Sequence, residues 1–175
     1  MGMKKIIYIF LLSLSITLFT SCEKDEIGGT ATEQLAGEWV VTVIAVDAND
    51  AVIYSDDELF GIGHFPLLTY NTAANQPSEM WIDDSGNFWD FKAIVNADVT
   101  ALTFNANAVK NAAYDCKVTI KDGKILKGAA TTPSGMPADS IYFHVNFDDD
   151  GYPEAYGYDS YRIAGYRYTG FAGDE

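Results

Sequence analysis

Ile141-Tyr142-Phe143-His144-Val145-Asn146-Phe147 is the stretch whose reading decides the fold. Its apolar side chains at 141, 143, 145 and 147 alternate with Tyr142, His144 and Asn146. That period of two belongs to an extended chain with one dry face and one wet face. The pattern recurs upstream. Cys116, Val118 and Ile120 alternate with Lys117, Thr119 and Lys121, while Trp89, Phe91, Ala93 and Val95 share one face opposite Asp90, Lys92 and Asn96. Asp83-Asp84-Ser85-Gly86-Asn87 and Asp122-Gly123 have the composition of hairpin connections.

Farther out, the β-branched run over 40–46 reads as a strand buried on both faces, and 51–54 starts a second strand. Further strands are expected over 67–72, 79–82, 124–130 and 158–168. The stretch 56–65 is the least strand-like and suits a short helical turn before Gly61 and Gly63. About nine strands joined by short turns predict an all-β antiparallel meander. Closing it into a barrel of about 8–10 strands removes the exposed edges.

The other end of the chain carries a different signal. Lys4 and Lys5 precede an apolar run over 6–20, which has the length of an export signal and is short for a membrane span. Leu18-Phe19-Thr20-Ser21-Cys22 resembles a bacterial lipobox. The resemblance implies that residues 1–21 are cleaved and that Cys22 is lipidated. Glu23-Lys24-Asp25-Glu26 resembles the signal that sends Bacteroidetes lipoproteins to the surface of the outer membrane, though a charged tether would read the same way. Residues 22–35 are expected to form a flexible tether and 36–175 one β-barrel domain.

Net charge of −14 argues against nucleic acid, since phosphate binding needs clustered Lys and Arg. With Cys22 given to lipid, Cys116 has no disulfide partner and is expected to be a buried apolar side chain.

Gly37-Glu38-Trp39 resembles the Gly-x-Trp start of lipocalins and fatty-acid-binding proteins. That resemblance implies that Trp39 plugs the barrel base under an arginine of the last strand, Arg162 or Arg167. The stretch 37–171 also resembles the Bacteroidetes lipoprotein family labelled lipid-binding putative hydrolases. The likeness rests on the lipobox, Gly37-Glu38-Trp39-Val40-Val41 and the ending Gly165-Tyr166-Arg167-Tyr168-Thr169-Gly170-Phe171. It implies a calycin-like barrel and lipid binding, and supplies no catalytic motif.

Candidate chemistry is sparse. No Gly-x-Ser-x-Gly elbow occurs, and Pro133-Ser134-Gly135 reads as a loop. His144 on a wet strand face reads as a surface histidine, and His64 between Gly63 and Phe65 offers no more. Asn146-Phe147-Asp148-Asp149-Asp150-Gly151 opens like a calcium loop with Asp148 and Asp150 as ligands, but the twelfth position is Gly157 where a glutamate is needed. An acidic turn is the simpler reading.

Trp89, Phe91, Ile141, Phe143 and Phe147 are the candidates to line a ligand cavity, with core filling as the alternative. The expected function is a membrane-anchored, non-catalytic lipid binder with no cofactor. An accessory surface lipoprotein contacting protein or glycan through Tyr152, Tyr156, Tyr158 and Tyr161 comes second, and a weak hydrolase third.

Overall fold

A computed structural model describes residues 29–174. The proposed signal, Cys22 and Glu23-Lys24-Asp25-Glu26 lie outside the described residues.

Nine strands follow in chain order: β1 (Gly37–Val46), β2 (Val52–Tyr54), β3 (Phe65–Asn71), β4 (Glu79–Asp83), β5 (Lys92–Asp98), β6 (Thr103–Lys110), β7 (Lys117–Thr131), β8 (Pro137–Phe147) and β9 (Ser160–Arg167). Two short helices, α1 (Asp56–Leu59) and α2 (Tyr152–Tyr156), sit in connections. All the strand pairings are antiparallel. Eight strands run β1-β3-β4-β5-β6-β7-β8-β9 and β9 pairs back onto β1, from Trp39 opposite Arg167 to Val46 opposite Ser160. The result is a closed eight-stranded barrel of calycin-like form, with β2 appended to the end of β1.

Alternation fills the interior. Trp39, Val41, Val43 and Ala45 of β1 are buried inward, while Val40, Thr42 and Ile44 are only half-buried on the outer face, so β1 is not buried on both faces as expected. Val118, Ile120, Ile141, Phe143, Val145 and Ile163 face the same core. Phe104 of β6 and Phe143 of β8 meet there at 5.6 Å between ring centres.

The count of nine strands agrees with expectation, but its membership differs. Asp122-Gly123 is not a hairpin. The strand continues through it as β7, and the register with both β6 and β8 shifts there. Interior positions run 118, 120, 123, 125, so one extra residue is accommodated as a bulge. Asp122 takes φ 56°, and a Cβ on Gly123 would collide with the Phe104 backbone. In turn, β6 is a strand that alternation did not reveal, because Asn105, Ala106, Asn107 and Ala108 have little β preference.

The segment just ahead of β1 packs against the barrel. Residues 31–35 form turns, Thr32 and Leu35 are fully buried, and the Ala31 amide donates to Asn75 Oδ1 at 2.8 Å.

Candidate functional site

The two ends of the barrel differ. At the base, Arg167 covers Trp39, its guanidinium carbon 4.4 Å from the ring centre. Its Nη1 donates to the Ala36 carbonyl at 2.6 Å and its Nε to Asp139 at 3.3 Å. The Trp39 indole N–H donates to Thr69 Oγ1 at 2.9 Å, and that hydroxyl donates to the Leu35 carbonyl at 2.7 Å. Gly37 is glycine for a steric reason: a Cβ there would strike the Arg167 guanidinium. Arg162 lies elsewhere, on the outer wall, donating to Asp50 Oδ1 at 2.8 Å.

The opposite end is a mouth, and three of the connections at that end deliver its aromatic residues: 55–64 with α1, 84–91, and 148–159 with α2. Each is shaped by polar residues. Ser55 and Glu58 reciprocally cap α1, with the Ser55 amide donating to Glu58 Oε2 at 2.8 Å. Asp56 then accepts from the Ile62 and Gly63 amides at 3.1 and 2.6 Å. This places Leu59 and Phe60 over the core.

In the second connection Asp84 is fully buried and accepts from four amides, those of Gly86, Phe88, Trp89 and Phe91, at 2.8–3.1 Å. Asp150 organises the third, accepting from the Tyr152 amide at 2.8 Å and the Tyr161 hydroxyl at 2.7 Å.

These loops assemble an aromatic cluster. Phe88 meets Phe60, Phe147 and Tyr161 at 5.4, 6.1 and 5.0 Å between ring centres. Trp89 stacks on Phe147 at 5.0 Å and 11°. Burial, together with the bonds to Tyr158 and Asp150, pushes the Tyr161 hydroxyl's pKa far up, and burial raises Tyr158 to about 12. Tyr152 and Tyr156 stay outside, at 46% and 55% exposure.

Two depressions flank them. One of about 460 Å³ is lined by Tyr54, Glu58, Leu59, Phe60, Tyr152 and Tyr156. The other, about 520 Å³, is lined by Trp89, Asp149, Asp150, Gly151, Tyr152, Ala155 and Tyr156.

The five candidate cavity residues therefore divide. Trp89 is not on β5 but in the loop before it, half-buried and bordering the second depression. Phe91 and Phe147 lie just beneath it, 5.6 Å apart, while Ile141 and Phe143 are fully buried deeper in the barrel. Of the four tyrosines, Tyr152 and Tyr156 are exposed and Tyr158 and Tyr161 are buried. Phe60, Phe88 and Asp84 belong to the site without having been singled out in the sequence. The Ser-x-x-Glu capping box ahead of Leu59-Phe60 was a readable sign of α1.

A third depression, polar and of about 480 Å³, lies on the outer wall. His144 Nε2 is 3.0 Å from Asp50 Oδ1 and its Nδ1 is 3.2 Å from Asp122 Oδ2. Tyr142 donates to Asp50 Oδ2 at 2.9 Å. Burial would raise the Asp50 carboxyl, but hydrogen bonds from His144, Tyr142 and Arg162 outweigh it and lower the pKa to about 2. Burial, reinforced by Asp50, raises Tyr142 to about 12.

His64 sits apart, near Tyr166 in a shallow groove with Val40 and Pro66. Ser134 lies in the β7–β8 turn with its hydroxyl on Thr132.

Cys116 is buried, its sulfur accepting from Asn111 Nδ2 at 3.4 Å. Its sulfur gathers with carboxylate oxygens of Asp148 and Asp149 within 4.8 Å. Asp148 accepts from the Lys117 amide at 2.7 Å and Asp149 from the Tyr114 hydroxyl at 2.9 Å.

No curated protein matches the chain. A family model does, over residues 24–172, a span that includes every strand of the barrel. The chain belongs to the family of lipid-binding putative hydrolases.

Proposed function

We propose that this protein is an exported lipoprotein, anchored in the outer membrane through lipid on Cys22, whose barrel mouth binds the apolar part of a lipid without catalysing its turnover. The observation that carries the reading is the aromatic mouth. Three loops converge there to hold Phe60, Phe88 and Trp89 over the core, with the Tyr54–Leu59–Phe60 depression open beside them. Apolar walls with a few polar groups suit the hydrocarbon of an amphiphile. Buried side chains such as Ile120, Ile141, Phe143 and Ile163 cluster inside the barrel, and the open depressions lie at the mouth, which is where the reading puts the ligand. Binding without turnover is supported by the placement of His144, which sits with Asp50, Asp122 and the Tyr142 hydroxyl in the outer-wall depression rather than at the mouth. Lipobox residues 18–22 support the anchor.

The test is titration of the protein with a neutral monoacylglycerol, followed by Trp fluorescence. A saturable change that is lost in Phe60→Ser supports the proposal. No saturable response to any amphiphile, whatever its headgroup or chain length, would overturn it.

An accessory role, with the tyrosine rim contacting protein or glycan, is favoured only by exposed Tyr152 and Tyr156. Glycan or protein capture abolished by Tyr156→Ser, without lipid binding, would select it.

A further inference from the structure

The mouth carries information about the headgroup as well as the hydrocarbon. In the second depression, the rings of Trp89 and Tyr152 stand at 85° to each other with centroids 6.2 Å apart. Tyr156 follows at 5.7 Å from Tyr152, tilted by 48°. Three rings at steep mutual angles make a corner in which a compact group meets both ring faces and ring edges. Asp149 and Asp150 line the same space, and no Lys, Arg or His lines either this depression or its neighbour across Tyr152 and Tyr156.

The carboxylates are held in place rather than free to swing away. Asp149 Oδ2 accepts from Tyr114, and Asp150 accepts from the Tyr152 amide and Tyr161.

Charge decides what such a corner takes. Aromatic faces attract cations through their negative quadrupole, most strongly for ions that shed water easily, and adjacent carboxylates add to the attraction. A carboxylate or phosphate headgroup would instead meet Asp149 and Asp150 with no cation to offset them. Resting on the lipid-binding reading above, the geometry points to an amphiphile with a quaternary ammonium headgroup as the ligand of this mouth. Its trimethylammonium sits in the Trp89–Tyr152–Tyr156 corner and its chain runs into the depression beside Leu59 and Phe60. Tyr152 and Tyr156 line both depressions, so the two spaces are neighbours on this pair of rings and serve as adjacent subsites for the two ends of one molecule.

The experiment compares three amphiphiles of equal chain length, each below its micelle concentration: dodecyltrimethylammonium, monododecylglycerol and dodecyl phosphate. Affinity is read by isothermal titration calorimetry. The ammonium compound is expected to bind about tenfold or more tightly than the glycerol compound, with the phosphate weakest. Free tetramethylammonium should compete with the ammonium compound. Asp149→Asn, which keeps an oxygen for Tyr114, should narrow the preference several-fold. Asp57→Asn, the same charge change on α1 outside the corner, should leave it unaltered.

Equal affinity for the ammonium and glycerol compounds would overturn the headgroup assignment while the lipid-binding reading stands. So would a preference that Asp57→Asn reduces as much as Asp149→Asn, because bulk charge would then account for it. Binding of none of the three overturns both.

Discussion

Arg167 and Trp39 are Cα partners across the β1–β9 junction, and the guanidinium lies 4.4 Å over the indole centre. One contact thus joins the first and last strands, covers the base, and ties the preceding segment through the Ala36 carbonyl. Arg167→Leu keeps an apolar cover but removes the cation and its bonds. It is expected to lower stability by about 2 kcal/mol. The urea midpoint measures this, and an unchanged midpoint would assign the closure to apolar packing alone.

Gly165 faces the same junction one turn of the ladder higher. A Cβ there would collide with the Val40 carbonyl and come within 2.7 Å of the Val41 Cα. Backbone on a paired strand cannot step aside as a side chain can. Gly165→Ala should therefore cost about 3 kcal/mol or more, or part β1 from β9 locally. Amide exchange along 40–43 reads the second outcome directly.

Asp84 is the buried hub of the 84–91 loop. Asp84→Ala strands four amide donors that it now satisfies and is expected to cost about 3 kcal/mol. Because the same amides fix Phe88 and Trp89, the emission of Trp89 should shift to the red and lipid affinity should fall along with stability. Retained affinity in a folded Asp84→Ala protein would detach the loop from binding.

The Asp50 cluster gives stability a defined acid dependence. Its carboxyl titrates near 2 when folded and near the ordinary 3.9 when unfolded. The stabilisation is complete above about pH 4 and is lost as pH falls toward 2. Asp50→Asn should be less stable than the parent at pH 5, with the gap closing by pH 2. Asp50 is 39% exposed on its side chain, so salt will shrink the gap. A gap constant from pH 5 to pH 2 contradicts the assignment.

Thr32 lies fully buried, and its hydroxyl has no hydrogen-bond partner. Thr32→Val keeps the shape and removes the stranded group. It should raise the urea midpoint by an amount worth about 1 kcal/mol. A lower midpoint would show that the hydroxyl is satisfied in solution.

The barrel was legible wherever apolar and polar residues alternate strictly, as over Ile141–Phe147 and Val118–Ile120. It was illegible where local chemistry and tertiary role diverge. Asp122-Gly123 has the composition of a tight turn, yet the same left-handed tolerance serves a bulge that carries β7 onward. The alternation from Trp89 to Val95 looked continuous, but Asp90 takes φ 47° and Asp84 gathers the amides on either side of it, so Trp89 leaves the strand for the mouth. β6 has too little apolar content to announce itself, and its place is set by pairing to β5 and β7. For the site, composition named Trp89, Phe91 and Phe147 but not their companions Phe60 and Phe88, which reach the mouth only through loop geometry.

Closure of β9 onto β1 has a directional consequence. The ordered chain enters at the Trp39 end, where residues 30–36 pack, and the strands then rise toward Phe60, Trp89 and Tyr152. A barrel held through Cys22, as proposed, is moored by its sealed end with its aromatic end pointing outward. Under that proposal the ligand would be met on the side facing away from the bilayer, and the amphiphiles sampled would be those arriving from the surroundings rather than those of its own membrane.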